Sequence, residues 1–181
     1  QVDCDWNETG KYFASSLDKD LLKLENFKKI LDSLNFENQI LNKNQLEKKL
    51  GTNFYKTGIY TKGGILLHPA KLARAMIDVL PKNVNLLENS FLSSWKKINN
   101  KIISNVNKYK IISDKVIFCS NAFLSSMRVK RRFNFPLTLT ASLTKKLTDE
   151  EYERIGKPKE WGVLPVRPMG ATIRMTKDKR I

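Results

Sequence analysis

The residues able to do chemistry are few and scattered along the chain. Its one histidine, His68, stands immediately before Pro69. A Ser/His/Asp or Cys/His system would have to use it, and there is no G-x-S-x-G elbow to present a nucleophile. At that place the imidazole reads as a helix cap or a packing residue. Cys4 and Cys119 are the two cysteines, too few and too far apart for a disulfide framework or a structural zinc site. Asp149, Glu150 and Glu151 fall together in the first turn of an expected helix, where the macrodipole favours negative charge. That placement is explained without hydrolytic chemistry. Gly63-Gly64 offers a turn where the backbone takes positive φ or approaches another segment or a ligand closely. Neither a G-x-G-x-x-G after a strand nor a Walker loop occurs, so the chain brings no phosphate cradle. No metal site and no catalytic residue stand out.

Charge suggests a rival reading. The net charge is +15, which fits a basic module for nucleic acid or anionic surfaces. The excess is mostly Lys, 25 against 8 Arg, and comes with much Asn and Ile, a mix that AT-rich coding places on any solvated surface. Phosphate-reading surfaces gather their cations on one element. The densest cluster here is only Arg128, Lys130, Arg131 and Arg132, so nucleic acid is not the expected partner. No apolar run reaches the roughly 18 residues that span a bilayer, and the opening QVDCDWNETG lacks a signal peptide's regions. A reducing cytoplasm, with no membrane partner, is the expected setting. The start at Gln1 without Met and the stop at Ile181 within an alternating stretch read as a piece of a larger protein.

Several elements follow from periodicity. Leu17, Leu21, Leu24, Phe27, Leu31 and Leu34 form one helical stripe. A shorter helix runs from Asn42 to Leu50, capped by Asn42 or Asn44 and ended by Gly51. Pro69 opens a third helix and Pro81 stops it near Leu80. From Val84 the period falls to two and extended chain is expected through Ile98. Strands at 102–106 and 111–112 follow after turns at Asn99-Asn100-Lys101 and Asn107-Lys108. KVIFC (115–119) reads as a buried strand, PLTLTASL (136–143) alternates strictly, and Ala171 to Thr176 forms a last strand. Thr148 with Glu151 writes a capping box for a helix over 149–155. The class is α+β with a mixed or antiparallel sheet.

The order of these segments resembles one family. Gly63-Gly64, His68-Pro69-Ala70-Lys71-Leu72, Glu88-Asn89-Ser90-Phe91-Leu92 and Val116-Ile117-Phe118-Cys119-Ser120-Asn121-Ala122-Phe123 are similar, in order and spacing, to the central region of FAD-dependent oxidoreductases of the D-amino acid oxidase and glycine oxidase superfamily. PLTLTASLTKKLTDEEYERIG, Trp161-Gly162 and GATIRMTKDKRI resemble that family's substrate-domain strands.

The resemblance implies a substrate domain with helices on one face of its sheet and a small inserted β-meander from the FAD domain. It assigns residues 1–62 to the substrate domain, residues 63–127 to the inserted FAD-domain segment, and residues 128–181 to further substrate-domain strands. It implies hydride transfer from the carbon beside an amine nitrogen to FAD, with an amine or amino acid as the small-molecule partner. Leu92 stands where a family strand presents its backbone to the adenine. Cys119, Ser120, Asn121 and Ala122 stand where a returning strand approaches the cofactor, although an apolar strand ending in small residues is also ordinary core. A substrate carboxylate calls for a guanidinium, and Arg174 and Arg167 are the candidates, each also readable as a solvated charge. Trp161 either walls the pocket or packs. Without the phosphate cradle, the isolated chain is expected to be inactive and to retain little FAD.

Overall fold

The computed structural model describes residues 2–129, 133 and 135–181. The chain folds as two compact units, Gln1–Val79 with Ser142–Ile181, and Leu80–Ala141. Lys130, Arg131 and Arg132 of the basic cluster lie outside the described residues.

The first unit is built on a five-stranded mixed sheet. Its strands are β1 (Lys11–Ser15), β2 (Asn38–Asn42), β3 (Thr57–Thr61), β7 (Trp161–Pro165) and β8 (Ile173–Met175), in the order β2-β3-β1-β7-β8. β1 runs parallel to β7, and the other neighbours are antiparallel. Alternation sorts the side chains onto two faces. Tyr12, Ala14, Leu41, Trp161, Val163 and Met175 join Leu46 and Leu50 of α2 (Lys43–Leu50) in the larger core cluster. Phe13, Ile40 and Ile59 turn to the other side and meet Leu24, Phe27 and Leu31 of α1 (Leu21–Ser33). Each face therefore has its own helix. The resemblance implied cover on one face only, but β1 carries apolar side chains in both directions, and both need burial.

Local signals set the helix ends. Asn42 caps α2 in a reciprocal capping box with Gln45, and Gly51 closes it at φ 71°. His68 caps α3 (Pro69–Asp78), its imidazole accepting from the Lys71 N–H, with Pro69 in the first turn. Thr148 and Glu151 form the expected box at the start of α4 (Asp149–Arg154). Gly64 is required by packing: a Cβ there would sit 2.5 Å from the Gly10 carbonyl carbon, and Gly10 N–H donates to Gly64 O at 2.9 Å.

The second unit is a meander of β4 (Leu92–Ile98), β5 (Lys101–Val106) and β6 (Tyr109–Ser113), antiparallel throughout. Trp95, Ser104 and Ile111 line up across it on one face, and Ile102 and Ser104 are buried. Three expected extended segments are corrected here. Residues 84–91 form no strand, because alternation alone makes no ladder without a partner, and Val84, Leu86 and Leu87 are exposed. KVIFC also forms none. Phe118 instead tilts onto Trp95, with ring centroids 5.3 Å apart, while the Trp95 indole N–H donates to Met127 O. The segment thus covers the meander as irregular chain and leaves Ile117 86% exposed. PLTLTASL is likewise irregular and mostly exposed, with no strand beside it to pair among the described residues. No helix among the described residues is long and apolar enough to cross a membrane.

Candidate substrate cleft

The β7–β8 pair divides inside from outside. Trp161, Val163 and Met175 point into the core, so Gly162 and its Cα partner Arg174 share the opposite face. Over that face lies a cleft of about 680 Å³ within the first unit. Leu66, Leu67 and Pro69, from the approach to α3, form one apolar wall with Leu143. Arg174, Thr176 and Glu160 are among its polar lining.

Most of the charges here already have partners. Lys71 binds Asp5 at 2.9 Å and Asp3 at 3.7 Å; Asp5 raises the Lys71 pKa, and Lys71 lowers that of Asp5. Asp178 accepts from the Thr176 hydroxyl at 2.7 Å and from Arg180 Nε at 2.8 Å, which together lower its pKa. Arg180 Nη1 also donates to Thr144 O. His68 Nδ1 is occupied by the Lys71 N–H at 3.4 Å, so a neutral ring carries its proton on Nε2. By contrast, the side chains of Arg174, Lys177 and Glu160 make no hydrogen bond or ion pair among the described residues. A second cleft of about 570 Å³ adjoins this one, sharing Asp5, Glu160 and Lys177, with Trp6 on its lining.

Of the three expected substrate residues, the cleft includes Arg174. Arg167 lies elsewhere. Its Nε donates to both Asp20 oxygens, at 3.0 and 2.8 Å, and Ser15 Oγ donates to Asp20 at 2.6 Å. Asp20 is 1% exposed, and Arg167 first, then Ser15, hold its carboxyl well below the usual carboxylate range. This triad ties the end of β1 and the start of α1 to the loop after β7. Trp161 is 4% exposed in the core, backing the hairpin from beneath. The expected cofactor residues all lie in the second unit. Leu92 opens β4 opposite Val106. Cys119 is exposed, Ser120 Oγ lies 3.5 Å from Met127 Sδ, and Asn121 and Ala122 begin a 3₁₀ turn over Asn121–Ser125. Glu160 was not singled out from sequence, although its alternation with Trp161 was available as a signal.

The fold combines a mixed five-stranded sheet covered by helices with a separate antiparallel meander. The chain belongs to the FAD dependent oxidoreductase (DAO) family, whose model matches residues 1–181. Among solved structures, it is similar to glycine oxidase from Geobacillus kaustophilus, with TM-score 0.70 and 14% identity over 99% of this chain and 47% of that one. Glycine oxidase from Bacillus cereus ATCC 14579 gives TM-score 0.54 and 14% identity over 70% of this chain and 36% of that one. The chain thus spans less than half the length of either neighbour. No curated protein matches it in sequence. Neither the fold nor these comparisons supports the basic nucleic-acid module.

The described residues do not by themselves form a cradle for the family's FAD. The Gly63-Gly64 turn is closed by Gly10 backbone, with no room for a ligand at Gly64, and the sequence holds no glycine-rich phosphate turn.

Proposed function

We propose that the chain is the substrate-binding part of a flavin-dependent oxidoreductase acting on amines or amino acids, with Arg174 holding the substrate carboxylate. The observation that carries this reading is the unpaired Arg174 on a cleft with Leu66, Leu67, Pro69 and Leu143. A guanidinium meets a carboxylate through two parallel hydrogen bonds, and apolar walls suit a hydrocarbon part while displacing water. Supplied from a site that other residues complete, FAD is the family's two-electron acceptor. This chain's share is to bind and orient: Arg174 fixes one end of the substrate, and Trp161 and the Arg167–Asp20 pair stiffen the elements behind it.

Leu92, Cys119, Ser120, Asn121 and Ala122 remain the proposed cofactor-side residues, supported by the family's segment order. The two solved structures named above are glycine oxidases, so small amino acids are the first substrates to assay. The free thiols of Cys4 and Cys119 suit a reducing cytoplasm. The chain alone is proposed to be inactive.

The test is the protein encoded by the complete reading frame, assayed for bound flavin and for carbonyl product from amino acids. We expect a yellow protein that oxidises at least one amino acid, and Arg174→Met to raise its KM about tenfold or more. Amines lacking a carboxylate should be unaffected by that substitution. A complete protein without flavin, or without amine oxidation, overturns the reading.

A further inference from the structure

We infer that Glu160 recognises the amine end of the ligand whose carboxylate Arg174 holds. This rests on the proposed role of Arg174 and names its counterpart. Trp161 pairs with Met175 and Gly162 with Arg174. Continuing that register places Glu160 beside Thr176, on the face of Gly162, diagonal to Arg174. Diagonal neighbours on one sheet face stand about 7–8 Å apart at Cα, within reach of long side chains. Glu160 and Arg174 carry opposite charges and both line the cleft, yet no ion pair joins them. Between them Gly162 has no side chain, and a Cβ there would only just touch Leu66 Cδ2, at 3.4 Å. The stretch between the two charges is therefore floored by Gly162 and bordered by Leu66.

The other acids on this cleft are engaged. Asp5 is held by Lys71, and Asp178 by Thr176 and Arg180. Lys177, also on the lining, acts on Asp5 at longer range. Glu160 is the lining carboxylate without a hydrogen bond or ion pair among the described residues, and a half-buried carboxylate gains most from a charged donor. An ammonium next to a carboxylate, separated by a short carbon unit, supplies a counterion to each side chain at once. Glu160 then separates amino acids from hydroxy acids or plain carboxylic acids of the same skeleton, because those leave its charge without a donor.

The experiment titrates the ¹⁵N-labelled chain with leucine (both enantiomers), 4-methylpentanoate, which lacks the amine, and 3-methylbutylamine, which lacks the carboxylate. Glu160→Gln should weaken leucine and 3-methylbutylamine about tenfold, the scale of one charge-assisted hydrogen bond, and leave 4-methylpentanoate within about twofold. Arg174→Met should do the converse for the two single-charge ligands, and Glu160→Asp should restore part of the amine affinity. Spectra unchanged outside the cleft establish that the variants fold. If Glu160→Gln leaves leucine and the amine unchanged while Arg174→Met still weakens 4-methylpentanoate, the inference fails and the reading of Arg174 stands. If Arg174→Met changes nothing, or the wild-type chain binds none of the ligands, both fail.

Discussion

The two units solve the same problem with unequal means. The first closes two apolar clusters around a five-stranded sheet, with Leu24, Leu41, Leu46, Leu50 and Ile59 almost wholly buried. The second has three strands and, among the described residues, two buried side chains, Ile102 and Ser104, and leaves Phe91, Ile112, Phe123 and Leu139 to solvent. Burial of apolar area is the main force holding a fold, so the first unit is the rigid one. The candidate substrate cleft stands on that unit, on a hairpin whose other face is core. The proposed cofactor-side residues stand on the second, on irregular chain and a short turn. Preorganisation is thus expected at the carboxylate anchor and not at the cofactor side.

The largest effect separating the units should appear in hydrogen exchange. Amides of β1, β3 and β7 are expected to exchange at least about 100-fold more slowly than those of β4, β5 and β6, since local opening follows buried contact. Equal protection in both sheets would erase the distinction. Next comes Leu46→Ala, in the larger core, expected to cost about 2–5 kcal/mol in denaturant unfolding. Ile102→Ala should release only the meander, seen as a Trp95 fluorescence change while the first unit's transition holds its midpoint. If Ile102→Ala shifts that midpoint as much as Leu46→Ala does, the units are not separate in stability.

A third effect depends on pH. Asp20 is depressed by Arg167 and Ser15, so the unfolded chain takes up its proton at a higher pH than the folded one. The stabilisation is then complete above the ordinary carboxylate pKa near 4 and is lost as pH falls below it. Asp20→Asn should lower the melting temperature at neutral pH, on the order of 10 °C, and flatten the acid limb of the stability curve. An unchanged acid limb would show that Asp20 does not hold this joint. The smallest effect is at a helix end: Asn42→Ala removes the α2 cap and should cost about 1 kcal/mol, read by the same denaturant curve. A cost near zero would mean that tertiary packing alone holds that end of the helix.

Much of this was legible where the physics is local. Thr148 with Glu151 and His68 with Pro69 each write a helix start within four residues, and the structure uses both; of the two caps open for α2, Asn42 and Asn44, it uses Asn42. The strands β1, β2 and β3 were not legible. They are five residues each, their sheet is covered on both faces, and Thr57 and Thr61 lie buried in β3, so no polar alternation marks them. The alternation at 84–91 and the apolar run at 115–119 promised strands, but pairing partners and the Trp95 face decided otherwise. At the site, Arg174 could be picked out by its residue type and strand. The engagement of Arg167 could not, since Asp20 lies 147 residues away in sequence. Glu160 gained its meaning only from the register with β8.

The central claim is that the first unit alone presents a carboxylate anchor. It is tested most directly by mapping ¹H–¹⁵N shifts on adding 4-methylpentanoate to the chain. The account predicts saturable shifts gathered at Leu66, Leu67, His68, Gly162, Arg174 and Thr176, abolished by Arg174→Met. Shifts scattered over the lysine-rich surface, or unchanged in that variant, would contradict it.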